Sequence, residues 1–155
     1  METSERGKDL IKRFEGLITH SYLCPANKRT VGYGHCGEDV KEGMIITEEE
    51  AENLLKKDLK KIEDKLNFSL EHDNITLNQN QFDACISFIF NLGFSAFIFS
   101  TLYKKLKAGD YAGASAEFPK WVYITKIDPE TGERFKIKLK GSEQRRKSEQ
   151  ELFNC

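Results

Sequence analysis

The sequence contains no apolar stretch approaching the length that a membrane-spanning helix requires, about 20 residues. Its N-terminal segment, residues 1–17, lacks the apolar core and the small-residue cleavage site of a secretory signal peptide. These absences predict a protein that is made in the cytoplasm of the producing cell without an export signal. They also predict that the chain does not insert stably into a membrane.

The sequence also lacks a strong overall charge, because 24 Lys and Arg residues nearly balance 25 Asp and Glu residues to give a net charge of −1. A near-neutral chain has no general attraction to nucleic acid, and no nucleic-acid partner is predicted. The charge is unevenly distributed, however, with nine basic and four acidic residues between positions 120 and 147. This basic stretch either binds an anionic polymer or is a solvated surface, and composition favours neither interpretation.

Cysteine is scarce, with four residues at positions 24, 36, 85 and 155. Their irregular spacing and the missing export signal predict reduced thiols. A zinc site built from His20, Cys24, His35 and Cys36 is conceivable. There is no C-x-x-C pair, and adjacent residues such as His35 and Cys36 point to opposite sides of a strand, so no metal site is predicted.

The length of 155 residues fits a single domain with a buried core. Leu10, Ile11 and Phe14 share one face of a predicted first helix over residues 4–14, which Thr3 or Ser4 can cap and Gly16 can end. Residues 20–46 are rich in glycine and contain short β-prone segments, which indicate a small, irregular sheet.

Most of the remaining chain is predicted to be helical. Thr47 and Glu50 form the two ends of a capping box that opens a long helix with a regular apolar stripe. Further helices are predicted from Asn78 to Gly93, from Phe94 to Gly109, from Asp110 to Phe118, and from a Ser142 cap to about Phe153.

Residues 122–140 are predicted to form a β-hairpin between the last two helices. Phe135, Ile137 and Leu139 alternate with basic residues, and the segment 128–132 has the composition of a turn. The predicted class is α+β in one domain, with a small sheet lobe at about 17–46 and a helical lobe formed by 47–155 and the N-terminal helix. A groove between the two lobes would suit an extended polymer.

Glu15 is the strongest candidate for acid–base chemistry. A carboxyl group that faces a cleft at the end of the first helix, and is partly buried there, can stay protonated and donate to a leaving oxygen. A glutamate at a helix end is usually a solvated charge, so its position alone is weak evidence. The spacing adds to it: eight residues separate Glu15 from Cys24, and five more separate Cys24 from Thr30.

This spacing resembles that of the phage-type lysozyme family, also called endolysins or muramidases, in which Glu, Asp or Cys, and Thr occur at these intervals. The similarity continues in order through residues 31–35, 40–48, 77–84, 90–93, 106–111 and 141–149, and so covers nearly the whole chain. The resemblance implies a lysozyme-like fold. It also implies hydrolysis of the β-1,4 bond between N-acetylmuramic acid and N-acetylglucosamine in bacterial peptidoglycan, without a metal or organic cofactor.

The resemblance assigns roles to individual residues. It implies that Glu15 is the general acid and that Cys24 and Thr30 hold or activate the attacking water. Three further residues match family positions near the sugar groove, namely Phe90, Asn91 and Trp121. Tyr33 and His35 are expected to hold the sheet lobe together, and Arg145 to be a structural or groove-lining cation.

The chain departs from many family members at Cys24, where they have Asp. A nearby carboxylate would push the pKa of this thiol above its ordinary value of about 8.5, so we expect Cys24 and Thr30 to position water, and the sequence does not identify the group that deprotonates it. The alternative is that Cys24 is simply a small, part-buried residue. A disulfide with Cys36 would turn the Cys24 side chain away from the water.

The predicted hairpin at residues 122–140 is a second departure from the family pattern, because it makes the connection between the last two helices longer than usual. It either covers or extends the groove, or it is a surface feature without a role.

Two other functions fit the same candidate site residues. One is a lytic transglycosylase, in which the muramic acid hydroxyl replaces water as the nucleophile, and the other is a non-catalytic glycan-binding module. The resemblance further implies a monomer that reaches the cell wall after a separate membrane-permeabilising protein has acted.

Overall fold

A computed structural model describes residues 1–139 and 141–155. The helices are α1 (Glu5–Glu15), α2 (Glu48–His72), α3 (Gln79–Leu92), α4 (Phe94–Ile98), α5 (Thr101–Lys107), α6 (Tyr111–Glu117) and α7 (Ser142–Phe153), with a short 3-10 turn at Phe118–Lys120. The strands are β1 (Ile18–Leu23), β2 (Arg29–Gly32), β3 (His35–Cys36), β4 (Tyr123–Ile127) and β5 (Arg134–Lys138). The predicted α+β class is confirmed.

The first three strands form a small antiparallel sheet in the order β1-β2-β3. In its register, Tyr22 lies opposite Thr30, and Thr30 lies opposite Cys36. Directly opposed residues of antiparallel strands project from the same face. The sheet therefore carries Tyr22, Thr30 and Cys36 in one row across its three strands.

Buried polar contacts fix the N-terminal end of α1 on two other helices. Glu63 of α2 accepts hydrogen bonds from the backbone N–H and the hydroxyl of Thr3, at 2.8 and 2.6 Å. Asp83 of α3 accepts from the backbone N–H of Ser4 at 3.0 Å, and the Ser4 hydroxyl caps α1 by accepting from Gly7. Because a helix is stiff over three turns, these contacts also constrain where its last residue lies.

The predicted capping box is confirmed: the Thr47 hydroxyl accepts from the Glu50 N–H, and the Glu50 carboxylate accepts from the Thr47 N–H, both at 3.1 Å. Asn78 caps α3 as predicted, and it forms a second box with Gln81. Local hydrogen-bonding chemistry of this kind depends on neighbours in sequence, which is why the sequence reveals it.

Two helix predictions are wrong in detail. The segment from Phe94 to Gly109 is not one helix, because the Ser100 hydroxyl accepts from the Tyr103 N–H and starts a new helix after α4 has ended. Ser142 is not the cap of α7 but its first residue. The cap is Gly141, which adopts a left-handed conformation with φ of 83° that glycine tolerates without strain.

The hairpin is confirmed by the pairing of β4 with β5, in which Tyr123 lies opposite Lys138 and Ile127 opposite Arg134. Among the side chains that the structure describes, the predicted apolar alternation does not give the hairpin a buried face, since Phe135 and Ile137 are 44% and 36% exposed. The predicted end of the hairpin, Lys140, lies outside the described residues.

Most of the core lies in the helical lobe, and Val31, Tyr33, Val40 and Ile46 of the sheet lobe pack into it. Phe88 of α3 contacts three other aromatic rings edge-on, those of Phe97, Phe118 and Trp121, with centroids 5.3 to 6.0 Å apart. Arg146 and Glu149, both charged, are among the largest fully buried side chains. Within residues 1–139 and 141–155, no helix combines the length and the apolar character needed to cross a membrane.

Candidate active site

Glu15 is the last residue of α1, at the junction of the two lobes. Gly16 ends the helix with a positive φ of 71°, and its N–H donates to the Lys12 carbonyl. The chain then enters β1 two residues later. The Glu15 side chain is 21% exposed, so its carboxylate is largely but not fully removed from water.

Arg145 of α7 is the cationic partner of Glu15. Its Nη1 donates to Oε1 of Glu15 at 2.6 Å, and the guanidinium carbon lies 5.7 Å from the centre of the Phe14 ring. The Arg145 side chain is only 6% exposed. An ion pair that is this sheltered is weakly screened by salt and holds the carboxylate in one orientation.

Gly34 brings the sheet lobe close to the other oxygen of Glu15. A Cβ atom at position 34 would lie 3.1 Å from Oε2 of Glu15, and the residue has φ of 79°. Both the close approach and the left-handed backbone favour glycine here. Glu15 therefore lies between the turn that joins β2 and β3 on one side and α7 on the other, where the predicted interlobe groove requires it.

Cys24 and Thr30 lie together at the end of β1 and the start of β2. Thr30 is buried, and its hydroxyl donates to the Lys28 carbonyl at 3.1 Å. A backbone hydrogen bond from Lys28 lowers the pKa of the half-buried Cys24 thiol, and a hydrogen bond with the Thr30 hydroxyl lowers it further, although partial burial opposes them. The expected rise in the pKa of Cys24 is therefore wrong in direction.

Tyr22 is a site residue to which the sequence assigned no role. Burial raises the pKa of its hydroxyl, and the negative charges of Cys24, Glu15 and Cys36 raise it further. Electrostatic effects from all three groups place Tyr22 among them. Tyr22 lies on β1, two residues before Cys24, which directly follows the strand. Alternate residues of an extended chain project to the same side, so this spacing is the signal that would have identified Tyr22.

A Cys24–Cys36 disulfide does not fit the sheet. Both residues are free thiols, and β2 lies between the strand before Cys24 and the strand that contains Cys36. Two strand spacings of about 4.8 Å separate the two backbones by about 10 Å, beyond the roughly 7 Å that a disulfide can span. Oxidation of this pair would require the backbone to move.

The predicted substrate-contact residues Asn91 and Trp121 lie beside Arg146. Arg146 donates from Nη2 to Oδ1 of Asn91 at 3.0 Å and makes a long contact of 3.5 Å with the Trp121 carbonyl. The Trp121 ring packs edge-on against Phe88. Phe90 is half-buried against the core. Asn91 and Trp121 are thus joined to the helix that supplies Arg145.

Tyr33 and His35 connect the sheet lobe to the helices. His35 contacts Asp58 of α2 at 2.7 Å through Nδ1 and Asp39 at 2.9 Å through Nε2. Burial acts to lower the pKa of His35, but the two carboxylates outweigh it, and the net shift is upward. Tyr33 is buried, with the Lys12 ammonium 5.6 Å from the centre of its ring. Among the described residues, no group of three or more His, Cys, Asp or Glu side chains is arranged to hold a metal ion.

Comparisons with known proteins identify the family to which the chain belongs. The phage lysozyme family matches residues 12–149. An endolysin of Acyrthosiphon pisum secondary endosymbiont phage 1 is 44% identical over 153 residues, which are 99% of this chain and 98% of that protein. The muramidase domain of SpmX from Asticaccaulis excentricus superposes with a TM-score of 0.87 at 33% identity, covering 99% of this chain and 98% of that one.

A mutant of P22 lysozyme superposes with a TM-score of 0.78 at 34% identity, over 100% of this chain and 99% of that chain. The two lobes and the order of their elements are thus those of the lysozyme fold. The match to the family extends from the helix that ends in Glu15 to the helix that supplies Arg145. The chain belongs to the phage lysozyme family and is a glycoside hydrolase of the endolysin type.

Proposed function

We propose that Glu15 is the general acid with which this lysozyme cleaves the β-1,4 bond between N-acetylmuramic acid and N-acetylglucosamine in bacterial peptidoglycan. The observation that carries the proposal is the position of the Glu15 carboxylate at the lobe junction. Arg145 donates a hydrogen bond to Oε1 of Glu15, whereas Oε2 of Glu15 faces Gly34, which has no side chain. That second oxygen is the one from which a proton would pass to the leaving sugar oxygen.

Cys24 and Thr30 are proposed to hold and activate the attacking water. The pKa of Cys24 is lowered, so a larger fraction of this side chain is thiolate near neutral pH than in an ordinary cysteine, and the thiolate is the form that can accept a proton from water. The Thr30 hydroxyl is within hydrogen-bonding reach of the Lys28 carbonyl and of the Cys24 thiol. This arrangement supports water as the nucleophile.

Phe90, Asn91 and Trp121 are proposed to contact the glycan. Asn91 and Trp121 belong to the helical lobe and are connected through Arg146 to the residue next to Arg145. Phe90 precedes Asn91 at the end of α3 and offers a half-buried ring. Aromatic rings and an amide are groups that typically bind sugar rings in a groove.

The biological setting is proposed from family membership. The protein is expected to act as a monomer, to accumulate in the cytoplasm of the producing cell, and to reach the wall after a separate protein has permeabilised the membrane. Size-exclusion chromatography with light scattering tests the monomer. Lysis of producing cells only after a membrane permeabiliser is added tests the route, and lysis without one contradicts it.

Mass spectrometry of fragments released from purified peptidoglycan tests the reaction. Hydrolysis predicts fragments with reducing N-acetylmuramic acid ends. Anhydro ends, each lighter by one water molecule, would replace the proposal with a lytic transglycosylase. Binding to peptidoglycan without any released fragment would indicate a non-catalytic glycan-binding module.

A further inference from the structure

Glu149 is a fully buried carboxylate that the reaction described above does not use. It lies on α7 between two arginines, Arg145 and Arg146, of which the second is also fully buried. Its Oε1 accepts from the Ser87 hydroxyl at 2.7 Å, from Nη2 of Arg146 at 2.8 Å and from Nε of Arg145 at 3.3 Å. Its Oε2 makes a charge contact with Nε of Arg146 at 2.7 Å.

The same contacts determine the orientation of Arg145. Its Nε is directed to Glu149, its Nη2 donates to the Ser87 carbonyl at 3.2 Å, and its Nη1 is left to donate to Glu15. A guanidinium group is a planar fork, so fixing two of its nitrogens fixes the direction of the third. Arg145 reaches Glu15 in one geometry because Glu149 and Ser87 hold its other nitrogens.

We propose that Glu149 is a positioning residue for the general acid: it holds Arg145 against Glu15 and offsets the positive charge of that guanidinium. The inference rests on the proposed function of Glu15. By holding Arg146 as well, Glu149 also fixes the cation that donates to Asn91. One buried carboxylate then links the acid to a proposed sugar contact.

The charge balance explains why the acid needs such a residue. An arginine 2.6 Å from a carboxylate favours its ionised form, which cannot donate a proton. With Glu149 ionised, its negative charge offsets one of the two guanidinium groups that contact it, those of Arg145 and Arg146. Without Glu149, two positive charges act on Glu15 alone, in surroundings where screening by water is weak.

A purely structural role is a weaker explanation of this cluster. Burying an ion pair costs desolvation energy that its Coulomb attraction often fails to recover, and apolar residues of similar volume stabilise proteins as well or better. Burial raises the pKa of Glu149, and the guanidinium of Arg146 opposes that rise. The ionisable groups that face Glu149 are Arg145 and Arg146 from its own helix and Cys85 from α3; those that face Glu15 are Arg145 and Tyr22.

The test is the pH–rate profile of Glu149→Gln on peptidoglycan, with Glu151→Gln as the matched control. Glu151 is an exposed glutamate on the same helix. The extra positive charge lowers the protonated fraction of Glu15 at any given pH, so the alkaline limb should move down by about one pH unit. Looser positioning should lower kcat roughly tenfold. The Glu151→Gln profile should match that of the wild type.

A folded Glu149→Gln protein with an unchanged kcat and an unchanged alkaline limb would overturn the proposal. If that variant does not fold, the double variant Arg146→Gln/Glu149→Gln removes both members of the buried pair and keeps the net charge. The alkaline limb of its pH–rate profile should match that of the wild type, but its activity should fall roughly tenfold, because Glu149 no longer holds Arg145 and Asn91 loses its donor. Full activity in the double variant would also overturn the proposal.

Carbon-13 NMR titration of the Glu15 carboxyl separates this inference from the proposed function. A lower titration midpoint for Glu15 in Glu149→Gln than in the wild type demonstrates the coupling without any reference to catalysis. An unchanged midpoint refutes the coupling even if Glu15 is the acid. Full activity of Glu15→Gln would refute the acid role and leave the measured coupling intact.

Discussion

Oε1 of Glu15 lies 2.6 Å from Nη1 of Arg145, although the two residues are 130 positions apart in the chain. The contact joins the C-terminal end of α1 to the second turn of α7. The site is therefore complete only when the last helix has packed on the first and third. Residues near both ends of the chain contribute to one carboxylate environment.

Replacement of Arg145 by Gln should damage both activity and stability. Glu15 loses the donor that orients it, so kcat should fall by about 10- to 100-fold. Glu149 loses one cationic partner inside the protein, which should lower the free energy of unfolding by about 3 kcal/mol. Peptidoglycan turnover and urea denaturation measure the two effects. Lys147→Gln, an exposed site on the same helix, should change neither; an Arg145→Gln protein as active as this control would contradict the account.

Cys24 should titrate at a lower pH in the folded protein than in the unfolded chain. The hydrogen bonds from Lys28 and Thr30 stabilise its thiolate, and they exist only in the folded state. The rate of alkylation by iodoacetamide, followed by mass spectrometry as a function of pH, reports the titration. The same peptide labelled in urea is the reference.

Thr30→Val provides the matched variant for Cys24. Valine has nearly the same shape as threonine but no hydroxyl. The pH midpoint of Cys24 alkylation should therefore rise towards that of the unfolded reference. Equal midpoints in the folded and unfolded wild type would refute the lowered pKa. A lowered midpoint that Thr30→Val leaves unchanged would assign the effect to the backbone alone.

The contact between His35 and Asp58 should make stability depend on pH. The pKa of His35 is raised in the folded state, so its contribution is fully present below the unfolded value of about 6.5 and is lost as pH rises through the folded value. Asp58→Asn should therefore lower the free energy of unfolding by about 2 kcal/mol at pH 5.5 to 6 and by less at pH 9. Denaturation across this range measures the difference.

Asp64→Asn is the control for this experiment, because Asp64 lies on the same helix in an exposed pair with Lys60. Exposed pairs contribute about 0.5 kcal/mol or less, and this one contains no histidine. The control should show no trend between pH 5.5 and 9. A cost of Asp58→Asn that stays constant over the same range would show that protonated His35 is not involved.

The hairpin of β4 and β5 should be removable without loss of the fold. The side chains that the structure describes in β4 and β5 are exposed, and the Leu139 N–H donates to the Val122 carbonyl at 2.8 Å, which closes the base of the hairpin. Replacement of residues 123–138 by a short glycine-rich turn should change the free energy of unfolding by less than about 1 kcal/mol. Loss of cooperative unfolding would contradict this. The kcat/KM of the shortened protein on peptidoglycan then decides whether the hairpin extends the groove or has no role.

Local patterns in the sequence predicted much of this fold. The capping box at Thr47, the cap at Asn78 and the glycine that ends α1 were predicted from residues within four positions of the helix ends. The break at Ser100 was missed because serine is also tolerated inside helices, and only the folded chain shows its hydroxyl capping a new one. The exposed hairpin shows that alternation of apolar and polar residues predicts a strand but does not predict whether other parts of the protein bury its apolar face.

Spacing and family resemblance predict Glu15, Cys24 and Thr30 as site residues, but the direction of the pKa shift at Cys24 depends on backbone N–H groups that the sequence does not display. The roles of Arg145 and Glu149 depend on contacts between helices far apart in the chain. No local pattern indicates such pairs, since a Glu four residues after an Arg on a helix is usually a surface pair.

The central claim is that Glu15 is the acid that cleaves peptidoglycan, and the most direct test compares Glu15→Gln with Glu5→Gln. Both glutamates belong to α1, but Glu5 is exposed at its first turn. Mass spectrometry of purified peptidoglycan incubated with each folded variant should show abundant fragments with reducing muramic acid ends for Glu5→Gln and none for Glu15→Gln. Equal release of these fragments by the two variants would contradict the claim.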